Sequence, residues 1–340
     1  MKTRGGPSVW ADSYKECAGG RQSPIDFQQR DLQEDETLDM LESVNYASPV
    51  KLRLHNNGHT LVANLLEDDP PRIQRGGLAG DARLLQFHLH WGADNATGSE
   101  HTVMGHHYPL ELHLVHQFTD PEKGYAVLGI FFELGPEDDP ELEKAISKTP
   151  KLQLKGSKVD LAEAVNVSRL LPVTRERYYR YLGSLTTPPC SEAVVWTVFM
   201  DPLNVSQQQL SRLRSLRAGS TEDSPHLRHN YRPVQPLNGR SVTIPVTRPR
   251  PGLSFDPPTP PEAEGPPESE PAPSPSSYHV PLTHILIPVL ATVLVVGAAI
   301  LCSLAVFRKK KAQATSSATA ATRVPSQDPS QDKLLAPQNV

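Results

Sequence analysis

The 340-residue chain carries 34 Lys and Arg against 38 Asp and Glu, a formal net charge of −4. That balance argues against nucleic acid as a partner, because phosphate backbones select a basic surplus. The length allows one large domain or two small ones.

Residues 1–20 hold no apolar core of a signal peptide, so the native precursor is expected to begin upstream of Met1. Short runs of strand length follow, separated by turns: LHNNGHTLVANL (54–65), LLQFHLHWG (84–92), LELHLVHQF (110–118), YAVLGIFFELG (125–135) and AVVWTVFMDPL (193–203). Helical patterns are few and short, at Glu141–Lys148, Leu161–Val165 and Ser206–Leu216. No repeat is visible, and strands do not alternate with long helices, which argues against a doubly wound sheet. The expectation is a β-dominated α+β domain over residues 1–247: a large twisted, mostly antiparallel mixed sheet with peripheral helices.

Thirteen of the 34 prolines lie between Pro245 and Pro281, and residues 248–284 read as an extended stalk. Residues 285–307, ILIPVLATVLVVGAAILCSLAVF, contain no charge and are long enough to span a bilayer as a helix. Arg308, Lys309, Lys310 and Lys311 follow, which puts residues 308–340 in the cytoplasm and the domain outside, a single-pass type I arrangement at the plasma membrane. Gly297-Ala298-Ala299 offers a small-residue surface through which a homodimer could form. Cys17 and Cys190, the two cysteines outside the span, suit one disulfide in an oxidising compartment. The sequons at Asn95, Asn166 and Asn204 suit glycosylation there.

In QFHLHWG, strand alternation puts Gln86, His88 and His90 on one face and Phe87, Leu89 and Trp91 on the other, which reads as core. In LELHLVHQF, Glu111, His113 and Val115 share a face. If the two strands pair antiparallel, three imidazoles converge with no cysteine at hand, the donor set of a catalytic zinc site with one position left open. Gln86 and Glu111 stand where each can accept a ring N–H and fix a tautomer. His101, His106, His107 and His116 have no assigned role, and His116 falls on the core side.

These residues, with RQSPIDF (21–27), NNGH (56–59), GSEHTV (98–103), GSLTTPPC (183–190) and NYRPVQPLNGR (230–240), resemble the α-class carbonic anhydrases in their membrane-anchored extracellular form. The resemblance covers about Trp10 to Val246, and it also implies the Cys17–Cys190 pairing. It implies Zn2+ on His88, His90 and His113, supplying zinc hydroxide for reversible hydration of carbon dioxide to bicarbonate and a proton. Val115, Val127, Leu185 and Trp196 would form the apolar substrate wall, with Thr187 lining the same site. Thr186 would orient the attacking oxygen while donating to Glu100. His59 would export the proton, with Asn57 ordering the connecting water. Two departures bear on proton export: the aromatic-rich motif with a cavity tyrosine is missing before Gly5, and Val62 takes a cavity position usually polar in the family. The rival readings are an inactive binding or adhesion module of the same fold and a zinc hydrolase of esters or peptides. Intact ligands, Glu100 and Thr186 argue against the first. The second needs a general-base carboxylate, and Glu100 is expected to be occupied by Thr186.

Overall fold

The computed structural model describes residues 6–246; the expected stalk, span and tail lie outside them. Among the described residues no helix is long and apolar enough to cross a membrane. A mixed sheet of 13 strands dominates, as expected. Along its main path the strands run Lys158–Asp160, Leu52–Asn56, Leu61–Leu65, Ala82–Trp91, Leu110–Phe118, Tyr125–Gly135, Val194–Phe199, Tyr178–Gly183, Val242–Pro245 and Leu32–Asp35. Most neighbours are antiparallel, but Tyr125–Gly135 pairs parallel with Val194–Phe199 and with Leu203–Ser206.

The apolar run at 125–135 is buried almost throughout, the pattern of a strand covered on both faces. The run at 193–203 is not one strand. It breaks after Phe199, and the chain re-enters beside Phe132–Gly135 as Leu203–Ser206. Strands Leu52–Asn56 and Leu61–Leu65 form a hairpin whose turn needs glycine at position 58, where φ is 85°. Asn57 Oδ1 closes that turn by accepting the N–H groups of His59 and Thr60.

The sheet divides the interior in two. On one face Leu54, Ala63, Phe87, Leu114 and Leu128 stand in register across five strands, inside the larger core. On the other, two rows cross the same strands. One is His55, Val62, His88, His113 and Gly129; the next is Arg53, Asn64, Gln86, Val115, Val127 and Trp196. The polar side is selected by a bulge. Ladder register with Leu110–Phe118 shifts between Leu84 and Gln86, leaving Leu85 as the extra, exposed residue. Ala82 and Leu84 lie in the larger core, and so do Phe87, Leu89 and Trp91, so the inward parity switches from even to odd at the bulge. That switch turns Gln86, His88 and His90 to the other face.

Two expected helices form, slightly shorter than their patterns. Pro140–Ile146 is capped by Asp139, which accepts from the N–H groups of Glu141 and Leu142. Gln207–Leu213 starts with a capping box between Ser206 and Gln209. Residues 161–165 are not helical. Leu161 N–H donates to Leu52 and Val165 bridges to Val50, so this segment is spent on the sheet edge, and only a 3-10 turn, Val167–Leu170, follows.

Candidate active site

His88 and His113 are direct partners in the ladder, and His90 lies one pleat along on the same face, opposite Glu111. One ligand nitrogen from each of the three rings lies within 4.8 Å of the others. Each ring has its other nitrogen held. Gln86 Oε1 faces His88 Nδ1 at 3.1 Å, the carbonyl of Asn230 faces His90 Nδ1 at 2.8 Å, and Glu111 Oε1 faces His113 Nε2 at 2.7 Å. These acceptors fix the tautomers, so the lone pairs of His88 Nε2, His90 Nε2 and His113 Nδ1 are left to converge.

Burial first, then the neighbouring His90 and His113, hold the His88 ring well below the usual imidazole pKa. Burial likewise lowers His90. Both are neutral at pH 7, as a ligand must be. Burial alone would raise Glu111, but the rings of His101 and His113 and their hydrogen bonds hold it well below the usual carboxylate range. It is therefore a charged acceptor. His90 Nε2 is fully buried and has no hydrogen-bond partner, a cost a bound cation would remove. Donor chemistry, convergence and this orphaned nitrogen fit Zn2+.

The polar layer behind the ligands is deeper than the sequence suggested. Glu111 also accepts the backbone N–H groups of Glu100 and His101 and faces His101 Nδ1 at 2.7 Å. The other nitrogen of His101 meets Tyr181 Oη at 2.6 Å, and Tyr181 donates to Ser23. His101, a residue without a role in the sequence reading, thus supports Glu111. The close grouping of His101, Glu111 and His113 is this hydrogen-bonded layer and not a second metal centre. Asn230 was also missed. It holds His90 by a backbone carbonyl, which any residue type could supply. Its side chain accepts from Trp91 N–H and donates to the carbonyls of His59 and Leu89. Two residues on, Arg232 N–H donates to Glu100 Oε1 at 2.7 Å.

The expected hydrogen bond from Thr186 to Glu100 is not formed: Glu100 Oε2 is buried without a partner, 3.5 Å from His90 Nε2 and 3.8 Å from His113 Nδ1. Thr186 itself is buried, while Leu185 is half-buried and Thr187 exposed. Val115, Val127 and Trp196 are consecutive partners across three strands, beside the row of His88 and His113. The Trp196 ring lies 4.8 Å from the His113 ring, and its N–H donates to the carbonyl of Ser184. His59 is exposed at the tip of the hairpin, and burial of its ring followed by the charge of Lys155 lowers its pKa. Asn57 uses its carbonyl oxygen within the turn.

His116 is buried in the larger core between Tyr46 Oη and the carbonyl of Ala126. Cys17 and Cys190 form the expected disulfide, close to the loop that carries Thr186 and Thr187. Among the sequons, Asn204 is exposed on its strand. Asn95 is engaged by Gln207 and Arg214, and Asn166 caps the Val167–Leu170 turn.

Residues 5–245 match the family model for eukaryotic-type carbonic anhydrase. Carbonic anhydrase 7 of Homo sapiens is 39% identical over 249 residues, covering 70% of this chain and 93% of that protein. Carbonic anhydrase 12 of Homo sapiens is 38% identical over 253 residues, 70% of either chain. A putative carbonic anhydrase 3 of Caenorhabditis elegans is 39% identical over 241 residues, covering 70% of this chain and 92% of that protein. With three imidazoles converging on the polar face of a bulged strand pair, this chain belongs to the eukaryotic-type carbonic anhydrases and is an enzyme of that family.

Proposed function

We propose that the chain catalyses reversible hydration of carbon dioxide at the outer surface of the plasma membrane, with Zn2+ on His88 Nε2, His90 Nε2 and His113 Nδ1. Zinc in a three-nitrogen site is a Lewis acid that brings the pKa of a bound water to about 7, and carbonic anhydrase is the type case of that chemistry. Val115, Val127, Leu185 and Trp196 offer carbon dioxide an apolar wall, where a molecule without a net dipole displaces water at little cost. Arg232 occupies Glu100 Oε1, and Oε2, buried without a partner, is the acceptor left for the Thr186 hydroxyl. A threonine so held presents a lone pair in one direction, and so positions the attacking oxygen. Thr187 lines the opening through which bicarbonate leaves. His59, an imidazole whose ordinary pKa already lies below 7, accepts the released proton and passes it to buffer.

The single observation that carries this reading is the matched set of acceptors behind the three rings. The test is metal analysis of the purified protein together with stopped-flow hydration of carbon dioxide. About one zinc per chain and hydration lost in His113→Ala is the expected result. A folded protein that binds no zinc, or binds it without hydration, overturns it.

A further inference from the structure

His55 lies on the active-site face and has no place in the scheme above. It is the direct ladder partner of Val62, which is the direct partner of His88, which is the direct partner of His113. Directly paired residues project to the same side of a sheet, so His55 shares the face of the metal ligands two strands away. At about 4.8 Å per strand its Cα lies roughly 10 Å from that of His88. The ring is half-buried and makes no hydrogen bond to protein among the described residues, unlike His88, His90, His101, His113 and His116.

Val62 intervenes in the row, but the adjoining row is polar. Asn64, on the same face of the same strand, is the direct partner of Gln86, the residue that holds His88. Water can therefore follow Asn64 past Val62. The same hairpin carries His55 and His59, and Lys155 acts on the charge of both rings.

We infer that His55 is a second proton acceptor, working in parallel with His59 to carry the proton of each hydration event to solvent. This rests on the hydration chemistry proposed above. In each cycle an imidazole nitrogen of His55 takes one proton from the water chain and releases it to buffer, so the ring returns neutral and no other reactant is needed. The charged groups acting on it are Lys158, its direct partner on the neighbouring strand, and Lys155. Burial first, then the two lysines, keep the ring below the ordinary imidazole pKa, hence neutral and able to accept at pH 7.

The test compares His59→Ala with His55→Ala/His59→Ala in the full chain under weak buffer. His59→Ala alone is expected to keep part of its turnover. The second substitution is expected to lower kcat about tenfold further, with kcat/KM unchanged and with rescue by added imidazole. Equal kcat in the two variants overturns the inference, and a parallel fall in kcat/KM overturns it in favour of a structural role. NMR titration of the zinc-free protein gives an independent readout. The His55 ring is expected to titrate reversibly between pH 4 and 8, and a ring silent over that range overturns the inference. Absence of hydration in the unaltered protein removes the underlying reading as well, and that outcome is distinct because kcat/KM is then lost before any substitution.

Discussion

At the scale of single residues, the site is held by acceptors that differ in charge. Glu111 is the only charged one, and it serves His113, His101 and two backbone N–H groups at once. Glu111→Gln keeps the shape but replaces one acceptor oxygen with a donor, leaving a ring or an amide unsatisfied. Zinc affinity is expected to fall by about 10- to 100-fold, read as faster metal loss to a chelator. Thr186→Val, which keeps volume and removes the hydroxyl, is expected to lower kcat/KM about 100-fold with zinc retained, since it removes positioning alone. A kcat/KM within twofold of the parent would exclude Thr186 from the reaction. His116 sets a pH limit. Burial drives its folded pKa to about 3, against 6.5 for an exposed ring, so the fold binds fewer protons than the unfolded chain. Its contribution to stability is complete above pH 6.5 and is lost as pH falls from there toward 3. Urea midpoints are expected to drop across that window. The pair Tyr46→Phe/His116→Leu, which removes both polar partners together, is expected to flatten the drop.

At the scale of elements, the bulge at Leu85 decides where the histidines go. Strands 110–118 and 125–135 could be read to their ends because their apolar runs are bounded by turns. The alternation Gln86, His88, His90 was legible for the same reason. The parity switch upstream was not, since Leu84 and Leu85 are chemically alike and only the partner strand shows which one is extra. The pattern at 161–165 read as a helix because spacing alone does not show that its backbone groups are spent on Leu52 and Val50. Asn230 stayed hidden because its contact with His90 is through a carbonyl. Deleting Leu85 forces either the histidines toward the core or Ala82 and Leu84 out of it. Both outcomes strand polar or apolar groups on the wrong face. The deletion is expected to abolish zinc binding and soluble yield, whereas Leu85→Ser, which keeps the extra residue at its exposed position, is expected to retain both. A deletion variant that folds and holds zinc would show that the bulge does not set the face.

At the scale of the whole molecule, the Cys17–Cys190 disulfide joins positions 173 residues apart, and Cys190 ends the loop that carries Thr186 and Thr187. Closing so long a segment restricts the unfolded chain strongly, and losing it is expected to cost about 2–5 kcal/mol. Such a bond persists outside the cytosol, which agrees with the orientation that Arg308 to Lys311 would impose on the apolar stretch 285–307. The two arguments are independent, one from redox compartment and one from charge, so they can be tested against each other. In cells making the full chain, protein is expected to stay with membranes after alkaline extraction. Protease added outside is expected to remove the catalytic domain and to spare a tag placed after Val340. On non-reducing gels the surviving population is expected to run as the oxidised form. A protected domain with an accessible tag would reverse the orientation, and a domain found reduced would place it in the cytosol, where hydration would serve a different compartment.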